Sequence, residues 1–252
     1  DTSKVKFIWA KDIMNGIEYW DRMIKVSKKI TFAKALKSIT IMGRRQGEAN
    51  YLAQVMYPAM QVTDIFYMNI DICQLGMDQR RAHVVAREIA ENYKWKKPVA
   101  IHHHIILGLR GLQKKATEEE TLIASKMSKS DPSSAIYMHD SYEELKKKIN
   151  GAYCPVGIEE GNPILEYSKH IIFKNVKTIK IERPKKFGGD ILFGDYDEMR
   201  KSYLNRELHP QDLKLAVCNE LEKLIKPVRI HFEKNKKAKE LYDVVKKIKI
   251  TR

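Results

Sequence analysis

The chain has 252 residues and a strongly basic balance, 47 Lys and Arg against 32 Asp and Glu, for a formal net charge of +15. That length holds one large domain or two modest ones, and the ordinary apolar content excludes disorder as the default. The charge favours a polyanionic partner, nucleic acid ahead of an anionic membrane, although lysine-rich surfaces also serve solubility and thermostability.

Residues 5–10 (VKFIWA) read as a buried strand, and 16–38 carry apolar residues at helical spacing, as one or two helices. A polar break follows Gly43 through 48. Residues 49–66 resume a helix, bent near Tyr57 by Pro58. Tyr57, Gln61 and Asp64 recur at i, i+4 and i+7, so one face presents a phenol, an amide and a carboxylate. A strand at 70–75 follows, then Gly76 turns the chain into a helix over 77–93 that brings Gln79 forward. Ligands of an open parallel sheet bind beyond the carboxyl ends of its strands, where this turn lies. The group suits a small zwitterion with a polar tip. On this stretch alone, a helix–strand–helix unit with water-facing polar residues is the simpler reading.

Residues 98–106 (PVAIHHHII) form another strand. Three strands alternating with helices indicate an α/β fold with a doubly wound, Rossmann-like parallel sheet, of which mainly the second half is present. His102, His103 and His104 invite a metal reading, but no carboxylate or cysteine lies at ligand spacing, and a strand-end role is expected. Thr117 and Glu120 cap a short helix. Residues 125–132 read as a mobile loop containing Lys126, Met127, Ser128, Lys129 and Ser130. Two ammonium groups three residues apart, interleaved with hydroxyls, suit a triphosphate and its departing pyrophosphate; a lysine-rich surface loop is the alternative.

Beyond residue 135 the chain turns helical and basic. Ser141 and Glu144 form a capping box for a helix over 142–150. Helices follow at 162–173, 195–205, 209–234 and 238–250, with a strand at 176–181 and a turn at 184–189. The expected division is 1–123 for the sheet domain, 124–139 for the loop and linker, and 140–252 for a mainly helical domain. Cys73, Cys154 and Cys218 are widely spaced and lack any C-x-x-C pattern, which argues for a reducing cytosol. No apolar run reaches membrane-spanning length and no signal peptide is visible. The chain starts at Asp1 without a methionine, so an upstream segment is expected.

KMSKS at 126–130, YPAMQVTD at 57–64, GMDQR at 76–80 and AYCPVGIEEGNPI at 152–164 together resemble the class I tyrosyl-tRNA synthetases of the archaeal and eukaryotic kind. RPKKFGGD and ELHPQDLK resemble the C-terminal domain of the archaeal branch. The similarity runs from about residue 49 to 229. KMSKS is shared widely among class I synthetases, whereas the tyrosine-site and C-terminal segments are more specific. The resemblance implies that Tyr57, Gln61 and Gln79 hold the amino group and backbone atoms of tyrosine while Asp64 reads its phenolic hydroxyl. It makes Lys126 and Lys129 the catalytic loop lysines, and residues 126–130 the segment that folds over ATP. Arg80, and with less support Arg81, would lie toward the acceptor end of the tRNA, and Phe187, His209 and Asp212 would read the first anticodon base. A Phe187 ring plugging the core, and a helix start at Pro210 with Asp212 favouring its dipole, are the structural alternatives.

The implied partners are tRNA(Tyr), L-tyrosine and ATP with Mg2+, in a cytoplasmic homodimer with no protein-bound metal. Two departures stand out. The family's HIGH-like ATP motif occurs nowhere in these residues, and the spacer 111–125 is longer than in the shortest archaeal members. A tryptophanyl enzyme and a non-catalytic, synthetase-derived RNA-binding protein are the alternatives.

Overall fold

Tyr19, Met23 and Val26 recur four and three residues apart, and that stripe is what folds α2 (Ile17–Ser27) onto the rest of the first unit. The computed structural model describes residues 2–43, 51–128 and 131–248 and separates into two units. Unit one comprises 1–105 and 115–123; unit two comprises 106–114 and 124–252. The break at 44–48, the first two residues of the predicted helix 49–66, Lys129, Ser130 and the end of the last predicted helix lie outside the described residues.

In unit one, α1 (Ala10–Ile13) precedes α2, and α3 (Phe32–Ser38) starts at Thr31, whose hydroxyl accepts the Lys34 amide at 3.2 Å. The long α4 (Leu52–Tyr67) buries Ala59, Val62, Ile65 and Phe66 against α2 and α5 (Arg80–Tyr93). It keeps Pro58 inside the helix, where the missing N–H leaves one ladder bond unmade. β1 (Ile72–Gly76) and β2 (Val99–His103) pair in parallel from Ile72↔Val99 to Gly76↔His103, with α5 as the crossover. This is one βαβ unit of a doubly wound sheet. α5 ends at Lys94, which takes the left-handed conformation (φ 54°).

The expected strand at 5–10 does not form. Those residues have no strand partner among the described residues, and Phe7 and Trp9 are 91% and 72% exposed. An apolar β-like run becomes a strand only where a neighbour supplies the ladder. The sheet therefore has two strands where three were expected. α6 (Glu118–Ser125) opens as expected, with the Thr117 hydroxyl accepting the Glu120 amide at 3.1 Å.

Unit two is built around α11 (Pro210–Lys234), whose Leu213, Val217, Leu221 and Ile225 form a buried ridge. Packed on that ridge are α7 (Tyr142–Gly151), α8 (Pro163–Tyr167) and the first strand of a hairpin, β3 (Ile179–Ile181) paired antiparallel with β4 (Ile191–Phe193). α7 carries the predicted capping box: Ser141 accepts the Glu144 amide while Glu144 accepts the Ser141 amide. After α8 the backbone widens into a π turn at Ser168–Ile172 before α9 (Phe173–Asn175). α10 (Tyr196–Leu204) is capped by Asp195, and α12 (Lys236–Lys247) follows α11.

Asp140 is the polar pin of this unit. Both its carboxylate oxygens accept from Lys148 Nζ, at 2.8 and 2.7 Å, and Oδ2 also accepts the Tyr137 amide. The Asp140 carbonyl in turn accepts from Arg229 on α11 at 2.7 Å. Asp140→Ala strands the largely buried Lys148 ammonium, and a loss of about 3–5 kcal/mol of unfolding free energy is expected in urea titration. A loss under about 1 kcal/mol, the range of exposed pairs, would show that water already screens this one.

Candidate functional site

Core packing on one side of α4 sets the direction of the other. Burial of Val62, Ile65 and Phe66 turns Tyr57, Gln61 and Asp64 toward the half-exposed side of the helix. Gly76 then admits the chain into the short 3-10 turn at Met77–Gln79; a Cβ on Gly76 would stand 2.8 Å from Asp78 Oδ1. That turn brings Gln79 back to α4. Gln61 Nε2 donates to Gln79 Oε1 at 3.1 Å, and Gln79 Nε2 donates to the Ile41 carbonyl at 2.9 Å. The relay fixes both amides and leaves the Gln61 oxygen as the acceptor, the group an ammonium needs.

One turn further along, Asp64 Oδ1 accepts the phenolic hydroxyl of Tyr19 at 2.8 Å. Burial pushes the Asp64 carboxyl above its usual range, and the Tyr19 hydrogen bond opposes that shift. Tyr19 is fully buried, and its phenol is pushed well above the ordinary tyrosine value, first by burial and then by Asp64, so it stays a donor. Sequence reading missed Tyr19. It lies 45 residues before Asp64 in a plain amphipathic stripe, where nothing but packing singles it out.

Arg80 and Arg81 lie beside a cleft of about 930 Å³ in unit one, whose other cations are Lys34 and Lys37. Arg81 Nη1 donates to the Lys37 carbonyl at 2.8 Å, and Lys34 pairs with Glu88. Helical spacing put both lysines on α3; their approach to α5 was not readable from sequence.

In the histidine run, the His102 side chain is tied into unit one. Its Nε2 lies 2.9 Å from Nδ1 of His83 on α5, which is 1% exposed and has no partner for its own Nε2 among the described residues. Burial lowers both imidazoles, with further lowering of His83 by His102 and of His102 by Arg80.

In unit two, Lys126 forms an isolated bridge with Leu107, Met127 packs against the core, and the Ser128 amide donates to Ser134 Oγ at 3.3 Å. Phe187 ends a 3-10 turn at Lys185–Phe187 and is 60% exposed, with Lys186 Nζ 4.9 Å from its ring centroid. It does not plug the core. Gly188 and Gly189 follow with φ of 96° and 74°, positions that strain any side chain. Arg183 ties this loop to the start of α11: Nε donates to the Gly189 carbonyl and Nη1 to the Glu207 carbonyl, at 2.9 and 3.0 Å. His209 is the N-cap, its Nδ1 accepting the Gln211 amide at 3.2 Å, so the neutral ring carries its proton on the exposed Nε2. Pro210 opens the helix, and Asp212 sits in its first turn. Phe187, His209 and Asp212 therefore belong to two segments that Arg183 joins.

The family model for class I tRNA synthetases (W and Y) matches residues 1–226. A tyrosine–tRNA ligase of Thermococcus sibiricus is 45% identical over 267 residues, covering 100% of this chain and 70% of the relative. One from Saccharolobus solfataricus is 43% identical, covering 98% of this chain and 69% of its own length. Among solved structures, the Pyrococcus horikoshii tyrosyl-tRNA synthetase complexed with L-tyrosine is 41% identical with a TM-score of 0.86, covering 96% of this chain and 69% of that one. A Leishmania major tyrosyl-tRNA synthetase in complex with tyrosinol, 33% identical, superposes with a TM-score of 0.82 over 98% of this chain and 37% of its own. The chain thus spans about 70% of the curated relatives it matches.

The histidine pair carries a pH signature. The folded-state value of His83 lies below its unfolded value, so its contribution is present above the unfolded pKa and is lost as pH falls through that value toward the folded one. Urea titrations between about pH 8 and pH 5 should show stability falling below about pH 6.5, with a smaller slope in His83→Gln. Equal slopes in the two proteins would show that His83 is not buried neutral.

Proposed function

Because the chain belongs to the class I tRNA synthetases of the W and Y kind, we propose that it works as a tyrosine–tRNA ligase. The observation that carries the tyrosine reading is the Asp64 carboxylate at the end of the polar α4 face, half buried and with one oxygen on a phenol. Tyr57, Gln61 and Gln79 take the amino group and backbone atoms of tyrosine, and Asp64 accepts its phenolic O–H. Phenylalanine leaves that partly desolvated acceptor unpaired, a cost on the order of 1–3 kcal/mol. Rejection of phenylalanine by tyrosyl-tRNA synthetases is a standard illustration of this rule.

In the first step the tyrosine carboxylate attacks the α-phosphate of ATP, supplied as its Mg2+ complex, and pyrophosphate leaves as tyrosyl adenylate forms. Lys126 and Lys129 of the 126–130 segment stabilise the charge that grows on the departing phosphates. In the second step a hydroxyl of the terminal tRNA adenosine attacks the activated carbonyl and AMP leaves. No covalent enzyme intermediate is needed, and positioning supplies the rest of the rate. Arg80, at the basic cleft of unit one, faces the acceptor end. In unit two Phe187 offers an exposed ring for a base to stack on, His209 Nε2 a donor, and Asp212 an acceptor for a guanine edge. The excess of positive charge makes tRNA binding salt-sensitive. No helix among the described residues is long and apolar enough to cross a membrane; a cytoplasmic homodimer completes the proposal.

Two substitutions test the division of labour in the full-length protein. Asp64→Ala should lower the tyrosine-to-phenylalanine ratio of kcat/KM by about tenfold to a hundredfold. Unchanged selectivity would remove Asp64 from the site. Phe187→Ala should weaken tRNA charging while tyrosyl adenylate forms at the parental rate; a parallel fall in both steps would make Phe187 a structural residue.

A further inference from the structure

The hydroxyl of Tyr19 is a buried polar group that the substrate contacts proposed above leave unused. Its ring is held from two sides, edge-on to Trp20 at 5.7 Å and to Tyr67 at 5.3 Å between centroids. α2 and α4 pack along much of their length, so the phenol has little freedom to leave Asp64. Its O–H donates to Oδ1, and Oδ2 has no partner among the described residues. A carboxylate on a helix surface otherwise rotates freely about its last torsion. Here one oxygen is tied to the core, which holds that torsion, and Asp64 lies on the helix face it shares with Tyr57 and Gln61.

We propose that Tyr19 is a positioning residue for tyrosine selection: it anchors Oδ1 of Asp64 so that Oδ2 is aimed at the hydroxyl of the bound amino acid. The inference rests on the reading of Asp64 given above and extends it to a residue that does not touch substrate. The same bond has an electrostatic consequence. Burial favours the neutral acid, whereas a donated O–H favours the carboxylate. A carboxylate fixed in place is an acceptor that phenylalanine cannot satisfy; a protonated or swinging carboxyl can turn its polar atoms toward water and tolerate it. Tyr19 therefore extends to lower pH the range over which Asp64 discriminates.

The test is Tyr19→Phe, which removes the hydroxyl and keeps the packed ring, compared with Asp64→Ala by ATP–pyrophosphate exchange in the full-length protein. For Tyr19→Phe the KM for tyrosine should rise about tenfold with kcat little changed and the phenylalanine-dependent rate not reduced. The acid limb of the tyrosine-to-phenylalanine ratio should also move to higher pH, a shift that loss of packing alone does not produce. If Asp64→Ala relaxes selectivity while Tyr19→Phe keeps the parental ratio at every pH, or slows both amino acids equally, the positioning role is overturned and the reading of Asp64 stands. If Asp64→Ala itself leaves selectivity unchanged, the reading of Asp64 fails and the role of Tyr19 falls with it.

Discussion

A single hydrogen bond, from the Tyr19 phenol to the Asp64 carboxylate, joins the packing of unit one to its chemistry. α2 is held against α4 by the same stripe that buries Tyr19, and α4 is held against α5 by the residues that turn Asp64 outward. The carboxylate is therefore positioned by two helix contacts at once. Asp64 is uncomfortable where it sits, its pKa raised by burial, and the phenol offsets part of that cost. A partly desolvated carboxylate, its charged form disfavoured by burial, marks a place where folding alone does not explain the residue.

The neighbouring amides follow the same logic. Gln61 and Gln79 lie 18 residues apart, on either side of the first strand, and meet only because Gly76 turns the chain at the strand's carboxyl end. The βαβ unit thus does what such units do elsewhere, delivering side chains to the end of the sheet where ligands bind. Unit two solves a different problem. His209 and Asp212 serve the start of α11 as cap and dipole partner. Each nonetheless keeps a polar edge free of that duty, and Arg183 holds the loop bearing Phe187 to the same corner. Local stability and recognition are compatible there because the two use different atoms of the same side chains.

Sequence alone made the local features legible. The capping box at Ser141, the Thr117 cap, the spacing of Tyr57, Gln61 and Asp64, and the strand–glycine–helix turn before Gln79 depend on residues a few positions apart, so they survive in the pattern. Long-range partners were not legible. Nothing near residue 19 indicates that its hydroxyl reaches Asp64, and nothing near His83 indicates a pairing with His102. The misread strand at 5–10 has the same origin: its β-like composition was plain, but a ladder needs a neighbour, and composition does not supply one. The short strand at Ile191–Phe193 escaped notice because three residues carry too little alternation to register, although their pairing with Ile179–Ile181 is regular.

The central claim is that this polar face selects and activates tyrosine. Amino-acid-dependent ATP–pyrophosphate exchange on the full-length protein, with tyrosine, phenylalanine and tryptophan supplied separately, tests it most directly. Exchange driven by tyrosine, with the other two near background, is the predicted result. Exchange driven by tryptophan, or by tyrosine and phenylalanine alike, would contradict it.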